Sequence, residues 1–259
     1  MTAIARRLPS PLVDPAALLD VLTDAVAVVQ DALASITDWR PDGDRDGQYA
    51  LDLVADGPVC AHLVGLGLGV LSEESGLHHP DREIVVVVDP VDGSTNASRR
   101  IPYYATSLCA VDADGPLVGL VVNLATGERW DATRGEGARL DGTTIHASGA
   151  TELGGAIVAV NGLPDRHGGW AQYRAFGAAA LDLCAVACGR VDAFDASAGP
   201  LRSWDYLAGA LVCTEAGAVV GEASDQPLTT LDPLALRAPV AAATPELLAA
   251  IRGARRSHS

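Results

Sequence analysis

The sequence predicts a layered α/β protein, and three observations lead there. Short β-branched runs cluster in the middle of the chain. Later strand-like runs alternate with longer stretches of helical period, the pattern of helices laid against sheets. The composition supplies a core for such layers, since 49% of the 259 residues are hydrophobic and 20% are charged, which excludes intrinsic disorder. A chain of this length buries about 70% of its unfolded surface, so neither a disulfide nor a metal is needed as a staple.

Asp14-Pro15 opens a first helix as cap and first-turn proline, with Leu18, Val21, Leu22, Ala25, Val29 and Leu33 on one face. Residues 39–48 are an Asp/Gly-rich loop. A second helix starts near Leu51, and Gly57-Pro58 is expected to disturb or restart it. Residues 84–88 (Ile-Val-Val-Val-Val) are a strand buried on both faces that ends at Asp89-Pro90. Runs at 104–111 and 117–124 form a hairpin around the turn from Asp112 to Pro116. Further strands are expected at 128–133, 156–160, 191–195 and 218–221. Helices are expected at 172–188, 205–216 and 245–252, the last capped by Thr244 with Pro245 in its first turn. A soft boundary near 145–155 divides an N-terminal part, residues 1–148, from a C-terminal part, residues 149–259.

Eighteen Lys and Arg against 33 Asp and Glu give a net charge of −15. Such a surface repels a phosphate backbone and shows no basic cluster, so no nucleic-acid partner is expected. The acidity has a plain reading, solubility, and a sharper one, carboxylates gathered around cations. The apolar stretches 61–71 and 84–88 are too short to cross a bilayer, and no apolar run follows Arg6-Arg7, so neither a membrane span nor a signal peptide is expected. Five irregularly spaced cysteines in apolar surroundings read as reduced, buried thiols, and the expected location is cytoplasmic.

The segment richest in chemistry is Asp89-Pro90-Val91-Asp92-Gly93-Ser94-Thr95-Asn96. A buried strand delivers Asp89 to its carboxyl end, where α/β sheets bind ligands. Asp92 follows around a proline-fixed turn, and Gly93 lets the backbone approach a ligand closely. Ser94 and Thr95 then open what reads as a helix, where free N–H groups bind phosphate. Taken alone, the octapeptide also suits an ordinary Asp-Gly turn after a strand. Two more acidic spots stand with it: Leu71-Ser72-Glu73-Glu74-Ser75-Gly76, and Ser203-Trp204-Asp205-Tyr206 at the head of an apolar helix running to Glu215-Ala216-Gly217. Singly, Glu-Glu suits a solvated loop and Asp205 a helix cap.

Together, in this order, the three blocks resemble the inositol monophosphatase family of metal-dependent, lithium-sensitive phosphatases. Gly135-Glu136-Gly137-Ala138 with Asp141-Gly142, and the stretch from Phe176 to Asp182 followed by Gly189-Arg190-Val191-Asp192, extend the likeness to about residues 14–252. The resemblance implies an α-β-α-β-α sandwich, a homodimer, and two to three Mg²⁺ ions per site. Glu73, Asp89 and the Val91 carbonyl would hold a first ion, and Asp89, Asp92 and Asp205 a second, while Glu73 would help hold a third through water. Phosphate would rest on the metals and on the N–H groups of Gly93 and Ser94, with Thr95, Ala179 and Asp205 also meeting the substrate. Ser94 stands where the family has Thr and keeps the hydroxyl that orients the nucleophile; its aspartate partner is Asp52, with Asp56 as the competing choice. The catalytic set that the resemblance implies would be Glu73, Ser94 and Asp52.

The activity implied is hydrolysis of myo-inositol 1-phosphate or a similar polyol monophosphate by in-line attack of metal-bound water. Histidinol phosphate, 3′-phosphoadenosine 5′-phosphate and fructose 1,6-bisphosphate are the alternative substrates, and a catalytically silent metal-binding scaffold is the alternative of another class. Ala97 replaces a frequent Phe, and the loop 196–203 is slightly longer than usual; both changes fall where the organic part of a substrate would lie. Cys184 and Arg190 match the spacing of cysteine phosphatases, but Cys184 falls inside a helix rather than at its start. Asp89 and Asp92 are separated by two residues, not by the single residue of aspartyl-phosphate enzymes. The six histidines show no zinc-ligand spacing.

Overall fold

In the computed structural model, residues 14–40 and 49–256 are described, with side chains through 254; Arg6, Arg7 and most of the loop expected at 39–48 lie outside them. Helix α1 (Pro15–Ala34) starts where the Asp14 carboxylate accepts a hydrogen bond from the Ala17 N–H at 3.2 Å. It buries Leu18, Leu22, Ala25, Val26, Val29 and Leu33, while Val21 is only half-buried. Helix α2 (Ala50–Gly65) runs without a break through Pro58, contrary to the sequence expectation. Gly57 and Pro58 are both exposed, so water can satisfy the carbonyl that the ring displaces. Gly57 also lacks the Cβ that would clash with the proline ring.

An eight-stranded sheet runs in the order β2-β1-β3-β4-β5-β6-β7-β8. Its strands are β1 (Gly69–Ser72), β2 (Gly76–His78), β3 (Val85–Asp92), β4 (Ala105–Asp112), β5 (Gly115–Asn123), β6 (Arg129–Thr133), β7 (Gly137–Leu140) and β8 (Thr143–Thr144). A second sheet, in the order β10-β9-β11-β13-β12, comprises β9 (Ile157–Val160), β10 (Gln172–Arg174), β11 (Ala193–Asp195), β12 (Val219–Glu222) and β13 (Pro239–Ala242). The remaining helices are α3 (Ser94–Arg99), α4 (Ala179–Ala187), α5 (Ser203–Glu215) and α6 (Pro245–Arg256).

The layers follow from strand alternation. Val86 and Val88 of β3 pack with α1 and α2 on one face, whereas Val85 and Val87 join the core built around α4 and α5. The second sheet repeats the device: Ala159, Phe194 and Ala241 face α4 and α5, and Val158, Ala193, Val240 and Ala242 face Leu247, Leu248 and Ile251 of α6. The chain is thus an α-β-α-β-α sandwich, with α4 and α5 enclosed between the sheets.

Several boundaries differ from expectation, three of them in ways that change an element's place in the fold. The helix expected over 172–188 is interrupted: Gln172–Arg174 pairs in parallel with β9, Gly177 turns the chain at φ +88°, and α4 begins only at Ala179. Strand β3 does not stop at Asp89-Pro90 but continues to Asp92. In the β4–β5 hairpin, Gly115 and Pro116 belong to β5 rather than to the turn. All five cysteines are free thiols, Cys188 partly buried and the others buried. Among the described residues no helix is long and apolar enough to cross a membrane.

Candidate active site

The parallel pairing of β1 with β3 sets Ser72 beside Val88, so Glu73, just past the end of β1, comes level with Asp89 within β3. The Glu73 N–H donates to the Val88 carbonyl at 3.2 Å, which pins the acidic loop to the strand that carries Asp89. Beyond Asp89 the register against β4 slips: Asp89 faces Ser107, but Asp92 faces Ala105, three steps against two. This bulge reverses the alternation of the strand. Val87 packs toward α4 and α5, whereas Val91 packs on the α1/α2 side. Asp89 and Asp92, which would point to opposite faces of a regular strand, therefore both face the middle layer.

Gly93 follows at φ +86°, and a Cβ there would lie 3.0 Å from the Ala178 Cβ and the Gly177 carbonyl. Only glycine meets both demands, and the turn it makes starts α3 at Ser94. The Ser94 hydroxyl lies 2.7 Å from Asp52 Oδ1 and 2.8 Å from the Val91 carbonyl, and its one hydrogen serves one acceptor at a time. Of the two candidate partners, Ser94 meets Asp52. Asp56, one turn further along α2, instead accepts from the Ser72 hydroxyl and the Cys60 thiol.

Helix starts supply the other carboxylates. Asp52 and Asp205 occupy the third position of α2 and α5, and each turns Oδ2 back to its helix's N-cap N–H: Tyr49 at 3.1 Å and Arg202 at 2.7 Å. Asp92 reaches across the layers to the first turn of α4, accepting from the N–H of Ala179 at 3.2 Å and of Ala180 at 2.7 Å. Ala179, expected at the substrate wall, is buried and gives its N–H to that carboxylate. Thr95 is exposed, its hydroxyl 3.2 Å from that of Tyr49. The positive ends of α2, α4 and α5 thus face one acidic cluster.

Burial raises every carboxyl of that cluster. Asp52 is pushed up to about 6, chiefly by desolvation and against the lowering effect of its Ser94 hydrogen bond. Glu73 is raised by burial and then by Asp205, Glu74 and Asp52. Asp89 is raised by burial and then by Glu73 and Asp92. Asp92 and Asp205 also stand above the usual carboxylate range, both chiefly through burial. The Asp89 Oδ1 atom is buried without a hydrogen-bond partner. An acceptor oxygen stranded among like charges suits a hard cation. Among the described residues, no three acidic, histidine or cysteine side chains converge into a finished metal cage. The hydrogen bonds of Asp92 and Asp205 still leave each oxygen a lone pair for a ligand contact.

Sequence reasoning gave no role to Asn96 or Tyr103. Asn96 Nδ2 donates to the carbonyls of Tyr103 and Phe176, both at 2.8 Å, tying α3 to the loop that starts α4. The Tyr103 ring stacks on Phe176 at 4.9 Å, and its hydroxyl donates to Asp182 Oδ1 at 2.8 Å. An asparagine ending an acidic motif was the available signal; Tyr103 offered none. Trp204 is buried and its carbonyl accepts from Ser107, while Arg99 and Arg100 are exposed. Cys184 is buried within α4 and its thiol is raised well above its usual value by desolvation, which removes the cysteine-phosphatase alternative.

A sequence model described as the inositol monophosphatase family matches residues 66–259. Among curated proteins, the "Nus factor SuhB" of Salmonella typhimurium is 37% identical over 169 residues, 59% of this chain and 62% of that protein. The match thus spans about three fifths of that relative's length. The "Fructose-1,6-bisphosphatase/inositol-1-monophosphatase" of Archaeoglobus fulgidus is 37% identical over 184 residues, 69% of this chain and 71% of that protein. The solved inositol monophosphatase of Anabaena (Nostoc) superposes with a TM-score of 0.78 at 25% identity, covering 93% of this chain and 96% of that one.

Proposed function

The chain belongs to the inositol monophosphatase family, and from that premise we propose that it is a Mg²⁺-dependent phosphomonoesterase acting on myo-inositol 1-phosphate or a similar polyol monophosphate. The observation that carries the reading is the stranded Asp89 Oδ1 within a buried acidic cluster, one short loop from the Ser94–Asp52 pair. Glu73, Asp89, the Val91 carbonyl, Asp92 and Asp205 would hold two to three ions. Bound Mg²⁺ supplies the positive charge that a phosphomonoester dianion needs on its attacked and leaving sides.

The chain's own groups do the rest. Asp52 accepts the Ser94 hydrogen, which turns a lone pair of the hydroxyl toward a water and orients it for in-line attack. Because Asp52 Oδ2 is fastened to the Tyr49 N–H, the pair is set before substrate arrives. The N–H groups of Gly93 and Ser94 stand at the start of α3, where intrahelical acceptors are lacking, and receive phosphate oxygens. Residues 1–148 form the part that brings Glu73, Asp89, Asp92 and Ser94, and residues 149–259 the part that brings α4 and Asp205 against them. A homodimer in the cytoplasm completes the proposal, the location resting on the free thiols.

Histidinol phosphate, 3′-phosphoadenosine 5′-phosphate and fructose 1,6-bisphosphate are the competing substrates. A substrate panel with saturating Mg²⁺ tests the choice. Turnover of the polyol phosphate should exceed that of the doubly phosphorylated compounds, which need further cationic contacts that a chain of net charge −15 is poor in. Asp205→Asn should cost more on inositol 1-phosphate than on p-nitrophenyl phosphate, whose leaving group departs without help. Li⁺ should inhibit the first reaction in an uncompetitive or mixed manner. Equal losses on both substrates, with no effect of Li⁺, would remove Asp205 from the leaving-group side.

A further inference from the structure

We infer that Asp56 is a positioning residue for Glu73, acting through the Ser72 hydroxyl, and that it sets the affinity of the site for its divalent cation. The inference rests on the metal-dependent reading given above. Asp56 is buried on α2 one helical turn after Asp52, so the two carboxylates share a face. Asp52 holds Ser94, and Asp56 holds a different partner, the Ser72 hydroxyl, which donates to Asp56 Oδ1. Ser72 is the last residue of β1, fully buried, and directly precedes Glu73.

The acidic loop is fastened at several points. The Glu73 N–H is held by the Val88 carbonyl at 3.2 Å, and the Glu74 N–H lies 3.4 Å from the Ser72 hydroxyl oxygen. The Cys60 thiol, which donates to the same Asp56 oxygen at 3.3 Å, also lies 3.6 Å from the Ser75 hydroxyl on the far side of the loop. One rigid helix therefore spaces the serine that orients the nucleophile from the glutamate that faces the cation. Cutting the Ser72–Asp56 link frees the Glu73 backbone on one side and leaves a buried polar group without its partner. Partners hydrogen-bonded directly to a metal ligand are worth about ten- to a hundredfold in metal affinity, and the Ser72–Asp56 link, one residue removed from Glu73, belongs at the lower end of that range.

The test is Mg²⁺ binding to the folded protein by isothermal titration calorimetry, with circular dichroism to confirm folding and steady-state kinetics alongside. Ser72→Ala and Asp56→Ala should each weaken Mg²⁺ binding about tenfold or more. The double variant should be little worse than either single one, because both remove the same link. Asp56→Asn keeps a carbonyl acceptor for the Ser72 hydroxyl and should recover most of the affinity. With Mg²⁺ saturating, the KM for the phosphomonoester should stay within about threefold of wild type, since binding of the organic part is untouched. If Asp56→Ala does not fold, Ser72→Ala, which removes a single oxygen, carries the test. A folded Ser72→Ala protein with wild-type Mg²⁺ affinity, or multiplicative losses in the double variant, would overturn the inference and leave the phosphatase reading standing. A wild-type protein that binds no Mg²⁺ would overturn both.

Discussion

Asp52 Oδ1 and the Ser94 hydroxyl, 2.7 Å apart, form the smallest unit of the proposed site. If the pair acts as one device, Ser94→Ala and Asp52→Asn should each lower kcat on the order of 10² or more, the scale of a positioned acid–base group. Combining them should cost little beyond the worse single change, because both break the same device. Steady-state kinetics on the three variants checks this, and multiplicative losses would show that the two residues act separately. The sequence offered both Asp52 and Asp56, because on α2 they lie one turn apart on the same face. What separates them is across space: Ser94 on one side and Ser72 on the other, neither of which is readable from the spacing of α2. Ala179, which the family resemblance set among the substrate contacts, also gives its N–H to Asp92 from 87 residues away, a contact no local pattern shows.

At the level of elements, local chemistry decided what was legible. The Asp14 cap with Pro15, the valine run of β3 and the Thr244 cap of α6, whose hydroxyl accepts from the Leu247 N–H at 3.2 Å, all depend on neighbours in sequence. Short strands such as β1 and β13 are defined chiefly by the strands beside them. The β3 bulge belongs to the same class: it exists only against β4, and it is what turns Asp89 and Asp92 to one side. Proline misled at position 58 because its cost depends on which face of the helix it occupies. In an unbroken α2 with Pro58 exposed, Pro58→Ala restores a helical N–H and relieves the ring's clash. The variant should raise the stability by about 1–3 kcal/mol, read from chemical denaturation with activity unchanged. Destabilisation would show that α2 depends on the ring at that point.

Over the whole molecule, the five-layer sandwich gathers the starts of three helices and the ends of two strands around carboxyl groups that burial makes reluctant to ionise. The consequence for stability has a definite sign. Asp52, ordinarily near 3.8, stands at about 6 in the fold, and Asp182, held by Tyr103, stands at about 7. The folded chain therefore binds more protons than the unfolded one between roughly pH 4 and pH 7, and stability falls as pH rises through that window. In EDTA the melting temperature should drop from pH 5 to pH 8, and saturating Mg²⁺ should flatten the slope by countering the buried charge. A melting temperature that rises over that range in EDTA would contradict the electrostatic picture. The central claim, a catalytic cation held at Asp89, is tested most directly by the turnover of Asp89→Asn, whose Oδ1 lacks any protein partner. With Mg²⁺ saturating and the fold confirmed by circular dichroism, kcat on inositol 1-phosphate should fall by on the order of 10³ or more, as charge stabilisation of the transferring phosphoryl group is lost. A folded Asp89→Asn protein that turns over at close to the wild-type rate would contradict the account.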